Sequence, residues 1–216
     1  MKYIFIIFLP GAAGNFFSRC LNLLSNAYCY GQENKLPVTL EEKLKMLSYT
    51  PMLNRESIID DWVNFERQLT PHSRIIEHHA LPPESYSIWI NHELTHGLAS
   101  LAGPDDEIFN FYIDPGNHFE WVCINALYKN SYLGVNYFVA GKKLLDDPTF
   151  YKISLDNFLK DWTDFLSEFK KVTDIIGHTL TDSEIQSVKI LYYQWKTTIL
   201  EHNDIETFKK DIGFFL

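Results

Sequence analysis

The first feature that could support chemistry is a loop of small residues between a strongly apolar segment and an amphipathic one. Residues 3–9 are continuously apolar and rich in β-branched and aromatic types, which is typical of a strand buried on both faces. Small residues interrupt this run at 10–14, and apolar residues then recur at helical spacing over 16–24. Because free N–H groups at a helix start combine with the helix dipole, this arrangement favours an anion site suited to phosphate or sulfate.

The predicted anion site extends from the loop into the first turns of the helix. Its candidate ligand-binding residues are Gly11, Ala12, Ala13, Gly14, Asn15, Phe16, Ser18 and Arg19. Asn15 is a suitable N-cap residue for this helix. The Gly-Lys-Ser/Thr ending of a Walker A loop is absent, so neither a phosphate-binding lysine nor a Mg²⁺-binding hydroxyl can be assigned. The structural alternative is a tight β-to-α turn without a ligand.

A pair of histidines ends a second predicted strand. Residues 74–79 read as a short strand that closes on His78 and His79, just before two consecutive prolines. Active-site groups of α/β proteins lie at the carboxyl ends of strands, so either histidine is a candidate base for an acceptor hydroxyl. With Glu77 beside it, a histidine at this position can equally serve as a structural hydrogen-bonding group.

A literal H-E-x-x-H motif supports a competing prediction. On a helix, His92 and His96 share one face and can bind Zn²⁺, while Glu93 acts as general base for a metal-bound water. Glu120 is the candidate third ligand, as in the gluzincin peptidases that this segment resembles. A predicted strand at 85–90 ends just before the motif, so the alternative is a set of polar residues at a strand end, without a metal.

The elements that must position these groups alternate between strands and helices. Besides the segments already described, strands are predicted at 85–90 and 108–113, and a helix at 119–127. Such alternation, without any break in composition or any internal repeat, predicts a single α/β domain over residues 1–216. The region from about residue 155 onward is predicted to be helical and to cover the sheet.

Two capping boxes and an apolar stripe define the predicted helices. Thr39 with Glu42, and Thr181 with Glu184, have the spacing of capping boxes, and the second box begins a helix over roughly 182–201. Apolar residues at helical spacing predict a core-facing stripe made of Leu155, Phe158, Leu159, Trp162, Phe165, Leu166 and Phe169. We interpret these aromatic residues as core, and Cys20 as a buried, inert thiol.

The composition limits the classes of partner. The chain has 216 residues, of which 46% are hydrophobic, so it can form a packed core. Its formal net charge of -9 argues against binding a nucleic-acid polymer through overall charge. Three cysteines without a CxxC pattern favour reduced thiols in a cytoplasmic protein. The apolar run near the N-terminus is too short to span a membrane, so no transmembrane segment is predicted.

The loop after the first strand resembles that of the sulfotransferase relatives of P-loop proteins. In that family, the first strand leads into a Pro-x-x-Gly-Thr-Thr-like loop that binds the 5′-phosphosulfate of the donor PAPS (3′-phosphoadenosine 5′-phosphosulfate). Gly14 matches the family glycine, while Asn15 and Phe16 replace the two hydroxyl residues. Ala12 stands where the family has a catalytic lysine or arginine.

A second segment, residues 109–126, resembles the family's later strand, Arg-Asp-Pro-type turn and helix, which contact the 3′-phosphate of the donor. Asp114 stands where an arginine is expected, and Asn125 lies near the family serine. Positive charge would then come from Arg19 or from Lys129. The resemblance follows most of the chain in order, and it implies a P-loop-like three-layer α/β/α fold with a central, mainly parallel sheet.

The resemblance implies a sulfotransferase-like transferase that moves a sulfuryl group from a phosphoadenosine-type donor to a hydroxylated acceptor, such as a saccharide. His78 or His79 would be the catalytic base. Two alternatives remain open. One is a zinc-dependent hydrolase or peptidase that uses His92, His96 and Glu120, and the other is a degenerate P-loop-like domain that binds a ligand or partner without catalysis.

Overall fold

The centre of the protein is a sheet of four parallel strands. The computed structural model describes residues 1–8, 12–27, 39–47, 84–91, 103–118 and 148–202. The strands are β1 (Lys2–Phe8), β2 (Tyr86–Asn91), β3 (Glu107–Asp114) and β4 (Tyr151–Ser154). Their order across the sheet is β2-β1-β3-β4, and every described pairing is parallel. The first three strands confirm the predictions for 3–9, 85–90 and 108–113, whereas the four-residue β4 was too short to give a strand pattern.

Five described helices accompany the sheet. They are α1 (Gly14–Asn22), α2 (Leu40–Leu47), α3 (Leu155–Lys160), α4 (Trp162–Ile175) and α5 (Asp182–His202). The predicted α/β fold with a parallel sheet and C-terminal helices is therefore confirmed. The strand predicted at 74–79 and the helix predicted at 119–127 lie outside the described residues. None of the described helices is both long enough and apolar enough to cross a membrane.

Strand β1 is buried on both of its faces, as its continuous apolar sequence predicts. Ile4 and Ile6 belong to the large core that α1 and the C-terminal helices share. The alternate residues lie on the opposite face, where Phe5 packs against Trp89 of β2, its partner in the strand register. Ile7 packs there against Tyr112 of β3. Because side chains alternate along a strand, only a strand covered on both sides can be apolar throughout.

Aromatic rings join α1 to the C-terminal helices. Phe16 stacks on Trp195 of α5, with ring centroids 4.2 Å apart, and Phe17 stacks on Phe158 of α3 at 5.2 Å. Tyr192 of α5 also donates its hydroxyl hydrogen bond to the carbonyl of Phe158, over 3.2 Å. The predicted aromatic stripe therefore lies in the core, and it covers the first helix of the α/β unit.

The apolar stripe that begins at Leu155 does not form one continuous helix. Asp161 adopts an extended backbone conformation between α3 and α4, and its carboxylate accepts hydrogen bonds from the N–H groups of Thr163 and Asp164 at 2.8 and 3.0 Å. An aspartate that caps a new helix in this way must leave the preceding one. Of the predicted stripe, Leu155, Phe158, Phe165 and Phe169 are buried, whereas Leu159, Trp162 and Leu166 are partly exposed, and the cap divides the helix.

Both predicted capping boxes are present. Glu42 accepts hydrogen bonds from the N–H and hydroxyl groups of Thr39, at 2.8 Å each, at an exposed helix start. Glu184 makes the equivalent contacts with Thr181, at 2.8 and 3.0 Å, but its side chain is buried. The same local motif therefore occurs once at the surface and once in the interior.

A buried polar network surrounds Glu184 at the amino edge of the sheet. The Nε2 atom of His178 lies 3.1 and 3.2 Å from the two carboxylate oxygens of Glu184. The Nδ1 atom of His178 lies 3.3 Å from the hydroxyl of Tyr86, which begins β2. The N–H group of Ser25, in the turn after α1, donates to Glu184 over 2.7 Å. This network joins the end of α1, the start of β2 and the start of α5.

Candidate functional site

The carboxyl edge of the sheet, where β1 and β3 are neighbours, has the geometry of a ligand-binding position. In the order β2-β1-β3-β4, the chain moves from β1 to β2 on one side, and β3 lies on the other side of β1. Ligands of open parallel sheets bind in the crevice outside the carboxyl ends of strands at such a switch point. In this protein, α1 follows β1 at that edge, and a 3₁₀ turn at Gly116–His118 follows β3.

The N-terminus of α1 is buried and has no side-chain cap. Its N-cap residue is Ala13, in the left-handed conformation (φ 60°, ψ 16°), and no side chain accepts a hydrogen bond there. The prediction that Asn15 is the N-cap is therefore wrong. The turn at Ala13 begins the helix at Gly14 and moves Asn15 into the first helical turn. The amide groups of a first turn have no partner within the helix, so a ligand can accept their hydrogen bonds.

Gly14 allows α1 to approach the end of β1 closely. A Cβ atom on Gly14 would lie 2.1–2.2 Å from ring atoms of Phe8, which is itself buried. No side chain larger than hydrogen fits there unless the strand and the helix move apart. The glycine of the predicted anion loop is therefore required by packing, whether or not a ligand binds.

Asn15 carries an unsatisfied polar atom in this first turn. The residue is 9% exposed, and its Oδ1 atom has no hydrogen-bond partner among the described residues. A buried amide oxygen without a donor is energetically costly, so such an atom requires an explanation. A ligand hydroxyl or amino group at this position would provide the missing donor.

The other predicted residues of the anion site have structural contacts in α1. Ala12 is fully buried. The hydroxyl of Ser18 lies 3.5 Å from the Nδ2 atom of Asn22, one turn further along. Arg19 lies in the last turn of α1, where its Nη1 atom donates to the carbonyl of Leu47 over 3.0 Å. The described contact of Arg19 therefore connects α1 to the end of α2.

The turn after β3 brings together polar residues that sequence analysis did not select. The side chain of Asp156, at the start of α3, accepts hydrogen bonds from the N–H and Nδ2 groups of Asn117 at 3.2 and 3.0 Å. The Nε2 atom of His118 lies 3.6 Å from Oδ1 of the same aspartate, within ion-pair range. The Asp-Pro-Gly-Asn-His sequence indicated a turn. No local signal indicated that this turn contacts Asp156, which lies 39 residues after Asn117.

Tyr112, on β3, also has an unsatisfied buried group. The residue is 1% exposed, and within the described part of the chain its hydroxyl has no hydrogen-bond partner. Burial, together with the nearby Asp114 carboxylate, raises the pKa of this tyrosine well above its ordinary value, so the hydroxyl stays protonated.

Replacing Tyr112 with phenylalanine is expected to raise the free energy of unfolding of the ligand-free protein by about 1 kcal/mol. The variant keeps the ring and removes a buried hydroxyl without a partner, whose desolvation is a cost. Denaturant unfolding of the two proteins measures the difference. A loss of stability of similar size would instead show that the hydroxyl has a partner.

Several predicted site residues lie outside the described part of the chain. They are Gly11, His78, His79, His92, Glu93, His96, Glu120, Asn125 and Lys129. Strand β2 ends at Asn91, so the H-E-x-x-H motif directly follows a strand at the carboxyl edge of the sheet. Within the described residues, no group of three or more His, Cys, Asp or Glu side chains converges on a possible metal position.

Comparison with known proteins gives no relative from which a function could be transferred. No family model matches the chain, and no curated protein or solved structure is significantly similar to it. A functional proposal therefore has to be based on the carboxyl edge of the sheet and on the residues that the fold brings there.

Proposed function

We propose that this protein is a sulfotransferase-like enzyme that binds a phosphoadenosine-type donor at the N-terminus of α1. In this proposal, the fold is a P-loop-like three-layer α/β/α arrangement, and the described sheet is its central layer. The donor is PAPS, and the acceptor carries a hydroxyl group, as a saccharide does. The reaction moves the sulfuryl group from the donor phosphate to the acceptor oxygen.

The observation that carries the proposal is the buried first turn of α1, which lacks a cap and contains the unsatisfied Oδ1 atom of Asn15. The N–H groups of Gly14 and Asn15 are hydrogen-bond donors suited to phosphate oxygens. The amide oxygen of Asn15 requires the opposite partner, a donor. A nucleoside phosphate has both kinds of group, because its phosphates accept hydrogen bonds and its ribose and base donate them.

Binding in this proposal depends on backbone dipoles more than on cationic side chains. Two of the three described basic residues of α1 and α2 contact backbone carbonyls: Arg19 donates to Leu47, and Lys43 donates to Leu24 and Ala27. The third, Lys45, is exposed in the last turn of α2. Lys129, in the segment after β3, is the remaining candidate from the sequence to neutralise donor phosphate. The macrodipole of α1 supplies partial positive charge at the loop without a lysine or arginine.

The transfer itself requires little covalent chemistry from the protein. The acceptor oxygen attacks the sulfur, the bond between sulfur and the bridging phosphate oxygen breaks, and its electron pair stays on adenosine 3′,5′-bisphosphate. The proton of the acceptor hydroxyl passes to a base, a role for which the sequence suggests His78 or His79. Catalysis then consists of positioning the two substrates and stabilising the charge that develops on the leaving phosphate.

Thermal unfolding in the presence of adenosine 3′,5′-bisphosphate tests the proposal. At a ligand concentration one hundred times the Kd, mass action stabilises the fold by about 2.7 kcal/mol, which corresponds to about 5–10 °C in Tm for a chain of this size. Asn15→Ala is expected to reduce this shift. Asn22→Ala is the matched control, because Asn22 is also a buried asparagine with an unsatisfied Oδ1 atom, but lies at the other end of α1.

Each outcome of this experiment has a clear meaning. No shift at millimolar bisphosphate contradicts the proposal, and an equal loss of the shift in both variants contradicts the site. Stoichiometric zinc that a chelator removes, combined with no shift, would favour the hydrolase predicted from the H-E-x-x-H motif. Binding of the bisphosphate without any consumption of PAPS would favour a non-catalytic binding domain.

A further inference from the structure

We infer that His118, whose imidazole lies within ion-pair range of the Asp156 carboxylate, is the base that accepts the proton of the attacking hydroxyl group, in place of His78 or His79. This inference rests on the proposed sulfuryl transfer and names a catalytic residue for it. The two side chains come from different elements at the carboxyl edge of the sheet: His118 from the 3₁₀ turn after β3, and Asp156 from the start of α3.

Two neighbouring residues, Asn117 and Gly116, determine the position of the Asp156 carboxylate. Asn117 donates two hydrogen bonds to it, one from the backbone N–H group at 3.2 Å and one from Nδ2 at 3.0 Å. Gly116 gives it space, since a Cβ atom on Gly116 would lie 2.8 and 2.9 Å from its two oxygens. The Nε2 atom of His118 lies 3.6 Å from this carboxylate, within ion-pair range of a protonated imidazole.

The backbone of the turn is adapted to this contact. Gly116 has a φ of 51°, a conformation that residues with a side chain rarely adopt. Its N–H group donates to Oδ1 of Asp114 over 2.9 Å, which holds the turn at the end of β3. The charged groups described around His118 are thus Asp156 on α3 and Asp114 in its own turn, and both are acidic.

The exposure of His118 is suited to a group that must meet a substrate. Its side chain is 39% exposed at the edge where β3 lies beside β1. His178, the other histidine whose side chain the structure describes, is 7% exposed and lies in the Glu184 network at the opposite edge. Of these two histidines, only His118 is both accessible and on the same edge as the N-terminus of α1.

The orientation of the imidazole assigns its two nitrogens. Nε2 is the nitrogen within ion-pair range of Asp156, so we assign Nδ1 as the atom that accepts the proton. As the acceptor oxygen bonds to sulfur and the bond from sulfur to the donor phosphate breaks, the acceptor proton moves to Nδ1. The carboxylate of Asp156 then stabilises the resulting imidazolium through the contact with Nε2.

Single-turnover consumption of PAPS, with water as the acceptor, tests this role without knowledge of the natural acceptor. The release of adenosine 3′,5′-bisphosphate is measured under the same conditions for the wild type and each variant. We expect His118→Gln to lower the rate by about 10²–10⁴-fold while the thermal shift with adenosine 3′,5′-bisphosphate keeps its wild-type size. The exposed position of His118 makes the variant compatible with folding, and thermal unfolding verifies this.

Variants of two aspartates separate a positioning role from a purely structural one. Asp156→Asn is expected to lower the rate by about tenfold and to leave the thermal shift with adenosine 3′,5′-bisphosphate unchanged, because the imidazolium loses its carboxylate partner while the donor site stays intact. Asp164→Asn is the matched control: Asp164 is also near a helix start, but its ion-pair partner is Lys160, at 2.7 Å. It should leave both the rate and the thermal shift unchanged.

The outcomes distinguish this inference from the proposed function. If the wild-type protein shows no thermal shift with adenosine 3′,5′-bisphosphate, the proposed function itself fails. If it shows the shift but His118→Gln consumes PAPS at the wild-type rate, His118 is not the base. A protein that binds the bisphosphate and never consumes PAPS also overturns the inference, because there is then no transfer for a base to assist.

Discussion

Replacing Gly14 with alanine is expected to lower the free energy of unfolding by about 3 kcal/mol and to remove the thermal shift with adenosine 3′,5′-bisphosphate. The added Cβ atom would lie 2.1–2.2 Å from the ring of Phe8, far inside van der Waals contact. Phe8 is buried at the end of β1, so a movement of its ring disturbs the packing around it. Relief requires α1 to move away from β1, which displaces the proposed phosphate-binding turn.

The neighbouring residue, Ala13, provides a control in which the free energy of unfolding is not expected to fall. Ala13 has a positive φ of 60°, a conformation that costs a residue with a side chain about 1–2 kcal/mol. Ala13→Gly removes this strain, while the unfolded chain gains entropy that offsets about 0.5–1 kcal/mol of the benefit. We therefore expect Ala13→Gly to be neutral or slightly stabilising. Denaturant unfolding measures both variants, and similar losses in the two would contradict the packing explanation for Gly14.

Replacing Glu184 with alanine is expected to lower the free energy of unfolding by about 3–5 kcal/mol. The carboxylate accepts hydrogen bonds from the N–H groups of Ser25 and Thr181, and it lies 3.1 Å from His178. Truncation would leave these buried partners without an acceptor, which costs more than the contacts themselves contribute. The change would remove contacts that connect the end of α1, the start of β2 and the start of α5.

The exposed capping box is the matched control for this variant. Glu42 makes the same local contacts with Thr39 as Glu184 makes with Thr181, but at the surface of α2. Glu42→Ala should therefore cost about 1 kcal/mol, the usual value of a capping interaction. Equal effects of the two alanine variants would show that the buried network adds nothing to the cap.

The charge of Glu184 gives this contribution a defined pH dependence. Burial alone would raise the pKa of Glu184, but the hydrogen bonds from Thr181, Ser25 and His178 outweigh burial and lower the pKa below its ordinary value of 4.5. A lowered pKa in the folded state means that the stabilisation is complete above pH 4.5 and is lost as the pH falls through the folded-state pKa. The difference in unfolding free energy between the wild type and Glu184→Gln should therefore shrink below pH 4.5.

Local sequence patterns were sufficient to predict most of the described elements. The continuous apolar run predicted β1 because a strand with both faces covered has no position for polar residues. The two Thr-x-x-Glu patterns predicted the starts of α2 and α5 because the capping contacts join residues only three apart. The helix that follows β1 was predicted correctly, although its cap was assigned to Asn15 in place of Ala13.

The sequence by itself determined which segments are strands or helices and which of their faces are apolar, since these properties depend on residues within about one turn of each other. Only the tertiary structure decided that the ring of Phe8 packs against Gly14 and leaves no space for a Cβ atom there. The same is true of the burial of Glu184 beside His178. It is also true of the contacts of Asp156 with Asn117 and His118. These contacts depend on the sheet order and on how closely helices approach strands. Nothing in the local sequence of either partner specifies such a distance.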